Sequence, residues 1–467
     1  MRLLMISVAF VGVAAAAWGT SRQSDSKVAA TSSSNSSAES FAEARPRGDG
    51  LIVHEWGTFT SFSGSDGVRL EFRPLIDEDL PPFVLDRYLQ SGAIDLFGKS
   101  QIRVRMRMET PVTYFYTDRE RDVNVRVSFP DGMLTEFYPP VARMEPPYRL
   151  YEEPPRKRTA LDWGTIHLIP TDCFRARVDD PARRRLLESL LPAGLTPPAE
   201  AKYHYGRARE TDSALVHVHR PQADRANAPL APAGDFFEKF LFYRGVGDFE
   251  LPLELTAASD GTFELANSGS DPIRALFLID ADGKEVRFSA FEQIVGGERM
   301  KLVQAQEPTT LDSLADAVKD ALVKEGLYEK EAMAMVNTWR SSWFGEAGTR
   351  LLYVVPQPLT DAILPLDISP RPEETVRVLV GRMEIMTPAQ ESQIAALVSR
   401  SAAERQAELE TAASNGQAAS YAGPAELTSL GRLAEPALAR VSAISKDSAI
   451  RTEARLLLQR LTGTGGP

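Results

Sequence analysis

Residues 51–60 read Leu51-Ile52-Val53-His54-Glu55-Trp56-Gly57-Thr58-Phe59-Thr60. β-Branched and aromatic residues dominate this run, and Gly64 and Gly67 bound it, so it predicts a β-strand. Further along, Ile102-Arg103-Val104-Arg105-Met106-Arg107-Met108 alternates apolar with basic residues. Period two of this kind predicts a half-buried antiparallel strand with the three arginines on one face. Strands follow at 113–117, 123–129 and 133–138, the last two joined by the turn Pro130-Asp131-Gly132. Short spacing with turn signals describes a sheet or sandwich rather than βαβ units.

Outward from this block the pattern repeats. From Ala214 onward, strands are expected at 240–243, 249–255, 262–266, 275–279 and 285–288, split by Asp260-Gly261, Asn267-Ser268-Gly269 and Asp282-Gly283. Two helices come next. Thr309 can cap residues 311–324, where Leu311, Leu314, Val318 and Leu322 make one apolar stripe, and a second helix spans 329–344 before Gly345. Strands return at 351–355 and 375–386. Thr387-Pro388-Ala389-Gln390 is a capping box with proline at the first helical position, and this helix should end near Asn415-Gly416.

The fold class predicted is therefore α+β, mainly β: antiparallel sheets or β-sandwich domains with inserted and C-terminal helices. The expected divisions are a first β-rich domain over 51–200 and a second, immunoglobulin-like sandwich over 201–305. A helical hairpin (306–350), returning strands (351–387) and C-terminal helices (388–467) complete it. Within the last, Leu430 to Leu461 resembles a single HEAT-type helical pair, which must dock on something to bury its apolar face.

The first 50 residues are of a different kind. Arg2 followed by the uncharged run Leu3 to Trp18, ending in small residues, reads as a secretory signal, with an uncleaved N-terminal anchor as the alternative. Residues 21–50 are rich in Ser, Ala and Asn and read as a tether too polar to fold. Arg47-Gly48-Asp49 within it is treated as linker. The chain has 467 residues, a net charge of −11 and one cysteine, Cys173. That length calls for more than one core. The charge excludes nucleic acid as a general partner, and the lone cysteine excludes an intramolecular disulfide or a cysteine-based zinc site.

Several strings carry a resemblance. They are Val53 to Thr60, Met108-Glu109-Thr110-Pro111-Val112 with Tyr114-Phe115-Tyr116, Phe242-Tyr243-Arg244-Gly245, Ser342-Trp343-Phe344, and Leu359 to Leu366. On these, the region from Val53 to Met386 resembles an uncharacterised family of exported bacterial proteins. The resemblance implies shared fold and export and brings no activity with it.

Candidate chemistry is sparse, and no G-x-S-x-G, H-E-x-x-H or phosphate loop occurs. His217-Val218-His219 is the best metal-like spacing, because alternate strand residues share a face and both imidazoles could reach one ion. A third ligand would have to come from His54, His167, His204 or a carboxylate. The expectation is instead that the pair lies on an open polar face with no convergent carboxylate. His54 and Glu55, as strand neighbours, should point to opposite faces, with Trp56 in the core and Gly57 admitting a neighbouring chain. Arg103, Arg105 and Arg107, with Arg126 on an adjoining strand, could hold an anionic polymer, or form a solvated row paired with Asp118, Glu120 and Asp122. The leading expectation is a non-enzymatic envelope or periplasmic binding or structural module. A metal-dependent hydrolase using His217 and His219 is one alternative, and anionic polysaccharide binding through Arg103, Arg105 and Arg107 is the other. No cofactor is expected, a divalent metal being the one the histidines would suit. Expected partners are envelope polysaccharide or another envelope protein, with membrane contact only through an uncleaved N-terminal segment.

Overall fold

The computed structural model describes residues 50–75, 80–87, 102–147, 156–171, 181–193, 204–221, 233–416, 421 and 423–461. The signal, the tether, Arg47-Gly48-Asp49 and Cys173 lie outside them. In chain order the strands are β1 (Leu51–Ser63), β2 (Arg69–Leu70), β3 (Leu85–Asp86), β4 (Met106–Thr117), β5 (Arg121–Phe129), β6 (Gly132–Tyr138), β7 (Arg143–Glu145), β8 (Thr159–Ile169) and β9 (Leu215–Arg220). They continue as β10 (Gly234–Glu238), β11 (Leu241–Gly247), β12 (Leu253–Ala257), β13 (Phe263–Asn267), β14 (Ile273–Ala281) and β15 (Val286–Ile294). The last four are β16 (Arg299–Leu302), β17 (Gly348–Val355), β18 (Leu366–Ser369) and β19 (Glu374–Ile385). Helices are α1 (Pro181–Glu188), α2 (Leu311–Lys324), α3 (Glu329–Arg340), α4 (Gln357–Ile363), α5 (Pro388–Ser414), α6 (Glu426–Ser429), α7 (Ala434–Ile444) and α8 (Ser448–Leu461). With 39% strand and 30% helix, the class is α+β and mainly β, as the alternation and turn signals imply.

A ten-stranded sheet runs β15-β14-β17-β19-β1-β4-β11-β6-β3, with β2 added beside β1. Its centre is the strand with which the sequence reading began: all 13 residues of β1 are buried. β1 pairs parallel with β19 and antiparallel with β4, which explains why it is apolar or compensated on both faces. One face packs against two smaller sheets, β10-β9-β8-β5-β18 (with β7 on β8) and β12-β13-β16. Leu51, Val53, Phe59, Val125, Trp163, Val218, Leu255 and Leu351 belong to the shared core. Against the other face lie α2 and α3 through Leu314, Val318, Met335, Val336 and Trp339, meeting Trp56, Tyr114 and Val378. α5, α7 and α8 form a third cluster with Phe62, Leu70, Phe72 and Met386 at the far end of β1. That is the surface on which the C-terminal helices dock.

The strands of 201–305 do not make a separate immunoglobulin-like sandwich. β9 and β10 extend the sheet begun by β5 and β8, β11 inserts between β4 and β6, and β14 and β15 close one side of the large sheet. Blocks 51–200 and 201–305 therefore interleave, because strands find partners by face and edge rather than by nearness in sequence. Helix ends follow their local chemistry. Thr310, rather than Thr309, caps α2 by accepting from the Ser313 N–H, and Thr387 with Gln390 forms the capping box of α5, which ends at Asn415 and Gly416.

Gly57 marks a bulge. Between Trp56 and Thr58, β1 has one residue where β4 has two, Thr110 and Pro111, and a side chain at Gly57 would lie 3.0 Å from the Pro111 Cα. Thr110, at φ 45°, takes the left-handed backbone that a β-branched residue rarely adopts. The string Asp162-Trp163-Gly164-Thr165 shares this device: β8 shifts register against β5 there, with Gly164 at φ 60°.

Candidate functional site

The strings that carry the resemblance meet around β1. On the helix-covered face, His54 Nδ1 lies 2.7 Å from Glu331 Oε2 of α3, and the Tyr116 hydroxyl donates to Glu331 Oε1 at 2.5 Å. The Tyr328 backbone N–H donates to the same carboxylate at 2.8 Å, and its ring packs on His54 at 4.4 Å. On the opposite face, Glu55 accepts from the Thr113 hydroxyl (2.9 Å), the Tyr243 hydroxyl (2.5 Å) and Arg377 Nε (2.7 Å). Arg377 in turn donates to Asp361 and to the Leu364 carbonyl, both within the string 359–366. Adjacent strand residues thus serve two different networks, as the pleat requires.

Burial sets the electrostatics of both networks. It pushes the Tyr116 and Tyr243 hydroxyls up, and the Glu331 and Glu55 charges push further in the same direction. Burial opposes the Arg377 charge, but Glu55, Tyr243 and Asp361 together outweigh it and hold the guanidinium above its usual value. Every carboxylate in these two networks is engaged by protein donors. Such arrangements fix strands and a helix in place.

The three arginines do not form one row. Regular strand begins only at Met106, and Arg107 is buried in an ion pair with Glu109 at 3.2 Å, beside Thr60, whose hydroxyl donates to Glu109. Across β1, Arg382 and Arg350 bond Glu384, so charged side chains cross the buried face from β17 to β4. Arg103 lies 3.5 Å from Glu435 of α7 and Arg105 3.5 Å from Glu250, and Arg126, in the second sheet, is held by Glu145. The alternation gave the period correctly and the environment wrongly. The C-terminal helices and the 248–254 segment reach this strand from far along the chain.

His167, His217 and His219 lie on the outer face of the six-stranded sheet. β9 sets His217 opposite His167 of β8 and Phe237 of β10, and His219 opposite Asp235. His217 Nε2 and His219 Nδ1 approach the same oxygen, Asp235 Oδ1, at 2.8 and 2.9 Å. The Phe237 ring stacks on His217 at 4.5 Å and 9°. His167 is tied to Asp122 at 2.8 Å, with Glu120 3.7 Å from its other nitrogen. The face is open and polar, yet a carboxylate does converge on the pair, against expectation. Asp235 sits on the neighbouring strand, and a pairing register of this kind is not written in either strand alone. His217 and then His219, as donors, hold the Asp235 carboxyl below its usual range. His204 begins the turn His204–Arg209 and is exposed. Among the described residues, no three His, Cys, Asp or Glu side chains stand ready as a metal cage: the position an ion would take is held by the carboxylate oxygen.

No protein-family model and no curated protein matches the chain. Among solved structures it is similar to the yeast delta-COP-I mu-homology domain complexed with a Dsl1 WxWxV peptide, at 8% identity and a TM-score of 0.23. That match covers 73% of this chain and 98% of the other. A likeness this weak carries no argument about function.

Proposed function

We propose that this is an exported envelope protein that binds rather than catalyses, with the outer face of the six-stranded sheet as its contact surface. One observation carries the reading. His167, His217 and His219, three of the chain's five histidines, stand on this rigid face with their carboxylates already oriented by hydrogen bonds. The half-buried Phe237 adds an aromatic platform beside them. A hydroxyl-rich polymer such as an envelope polysaccharide suits alternating donors, acceptors and a ring edge. The hydrolase reading has less support, because an open sheet face gives no cleft to exclude water from a reaction. Binding through the arginines has less support too, since Arg107 is inside the fold.

Co-sedimentation of the full chain with insoluble envelope polysaccharide, in buffer containing a chelator, tests this. Wild type should pellet with the polymer, and Phe237→Ala and Asp235→Ala should lose most of that binding. No binding to any envelope fraction would overturn the reading. Export is tested separately by fractionation and N-terminal sequencing, with a mature start before residue 45 expected.

A further inference from the structure

We propose that a cavity at the rim of the ten-stranded sheet binds a free α-amino acid with an apolar side chain. The cavity has a volume of about 320 Å3 and lies where the C-terminus of α2 meets the ends of β14 and β17 and the start of α4. That volume suits one small molecule rather than a polymer segment. The proposal does not rest on polymer binding, whose face belongs to the other sheet.

Two charged residues line the cavity without partners. Arg274 of β14 is exposed, and Glu325, which caps the C-terminus of α2, is half-buried. Among the described residues neither side chain makes a hydrogen bond or ion pair, with the other or with any third group. The other charged lining residues are engaged: Arg377 with Glu55 and Asp361, and Asp271 with the Ser270 hydroxyl at 3.5 Å. Val354, Val378 and Pro356 supply apolar wall. The Gln357 amide is pinned, donating to the Thr375 carbonyl at 3.2 Å and accepting from the Arg377 backbone N–H at 3.1 Å. Arg274 stands opposite Val354 on the helix-covered face. Directly after it β14 shifts register and Ala275 takes φ 53°, a kink of the kind that re-aims a side chain at a sheet rim.

A lone cation and a lone carboxylate around one partly apolar cavity match a zwitterion. A guanidinium takes a carboxylate through two parallel N–H···O bonds. An ammonium is favoured by Glu325, which stands at the negative end of α2. A free α-amino acid carries both groups on one carbon. A simple carboxylate would leave Glu325 without a partner, a simple amine would leave Arg274 without one, and an internal peptide residue satisfies neither.

The test is calorimetric titration of the full chain with L-leucine, isocaproate and isoamylamine. The last two keep the leucine side chain and lack its ammonium and its carboxylate respectively. Leucine should saturate one site, and each analogue should bind at least about tenfold more weakly. Arg274→Gln should weaken leucine at least about tenfold and leave isoamylamine unchanged, whereas Glu325→Gln should weaken leucine likewise and leave isocaproate unchanged. Phe237→Ala should bind leucine as wild type. The comparison of leucine with its two analogues on wild type holds even should a variant fold poorly. No saturable leucine binding up to about 10 mM, isocaproate binding as tightly as leucine, or leucine binding unchanged in both charge variants would each overturn the site.

Discussion

His54 and His217 both stand in β-strands and both meet a carboxylate at nearly the same distance, 2.7 and 2.8 Å. The resemblance ends there. His54 and Glu331 are at most 1% exposed, whereas His217 and Asp235 are 25% and 55% exposed. In the interior, removing one partner leaves the other with no water to replace it. On the outer face, water takes over at once. Equal geometry therefore carries unequal energy, and the inner pairs hold the fold while the outer ones remain available for contact.

The sharpest way to break this contrast is Arg377→Leu, which leaves the buried Glu55 carboxyl without its cationic partner. A loss of about 3–5 kcal/mol in urea unfolding is expected; a loss under 1 kcal/mol would mean that the inner network is not structural. Glu331→Ala removes the acceptor shared by His54, the Tyr116 hydroxyl and the Tyr328 N–H, and should cost about 2–4 kcal/mol by the same measurement. Gly57→Ala places a methyl against the Pro111 backbone and should cost about 1–3 kcal/mol.

His217→Ala should change stability by no more than about 0.5 kcal/mol, and a larger loss would place the outer face among the structural elements. The mildest effect concerns acid. The native carboxyl of Asp235 lies below its usual range, so its contribution is present above the unfolded value of about 3.9 and is lost as pH falls through the native one. Asp235→Asn should therefore flatten the acid limb of the stability profile, matching wild type at the lowest pH and lying slightly below it from about pH 4 upward.

Local pattern made much of the fold legible. The β-branched run 51–60, the stripe Leu314-Val318-Leu322 and the Thr387 capping box each became the element they signal. What stayed hidden depends on distant partners. Arg107 looks like a surface residue until β1 brings Thr60 beside its strand. Val53 to Thr60 and Met108 to Val112 could be noticed separately, but not that Gly57 exists to admit Pro111. The same holds for Asp235, sixteen residues beyond His219 and brought to it only by the pairing of β9 with β10.

The parallel pairing of β1 with β19 has a consequence in time. Glu55 and Arg377 are 322 positions apart, and among the described strands β1 is the first to leave the ribosome and β19 the last. One edge of the central strand must stay bare through most of synthesis, in a sheet whose non-local pairings already slow folding. Any product ending before Glu374 lacks the strand that completes its centre, and should be cleared or aggregate rather than persist as a smaller folded form.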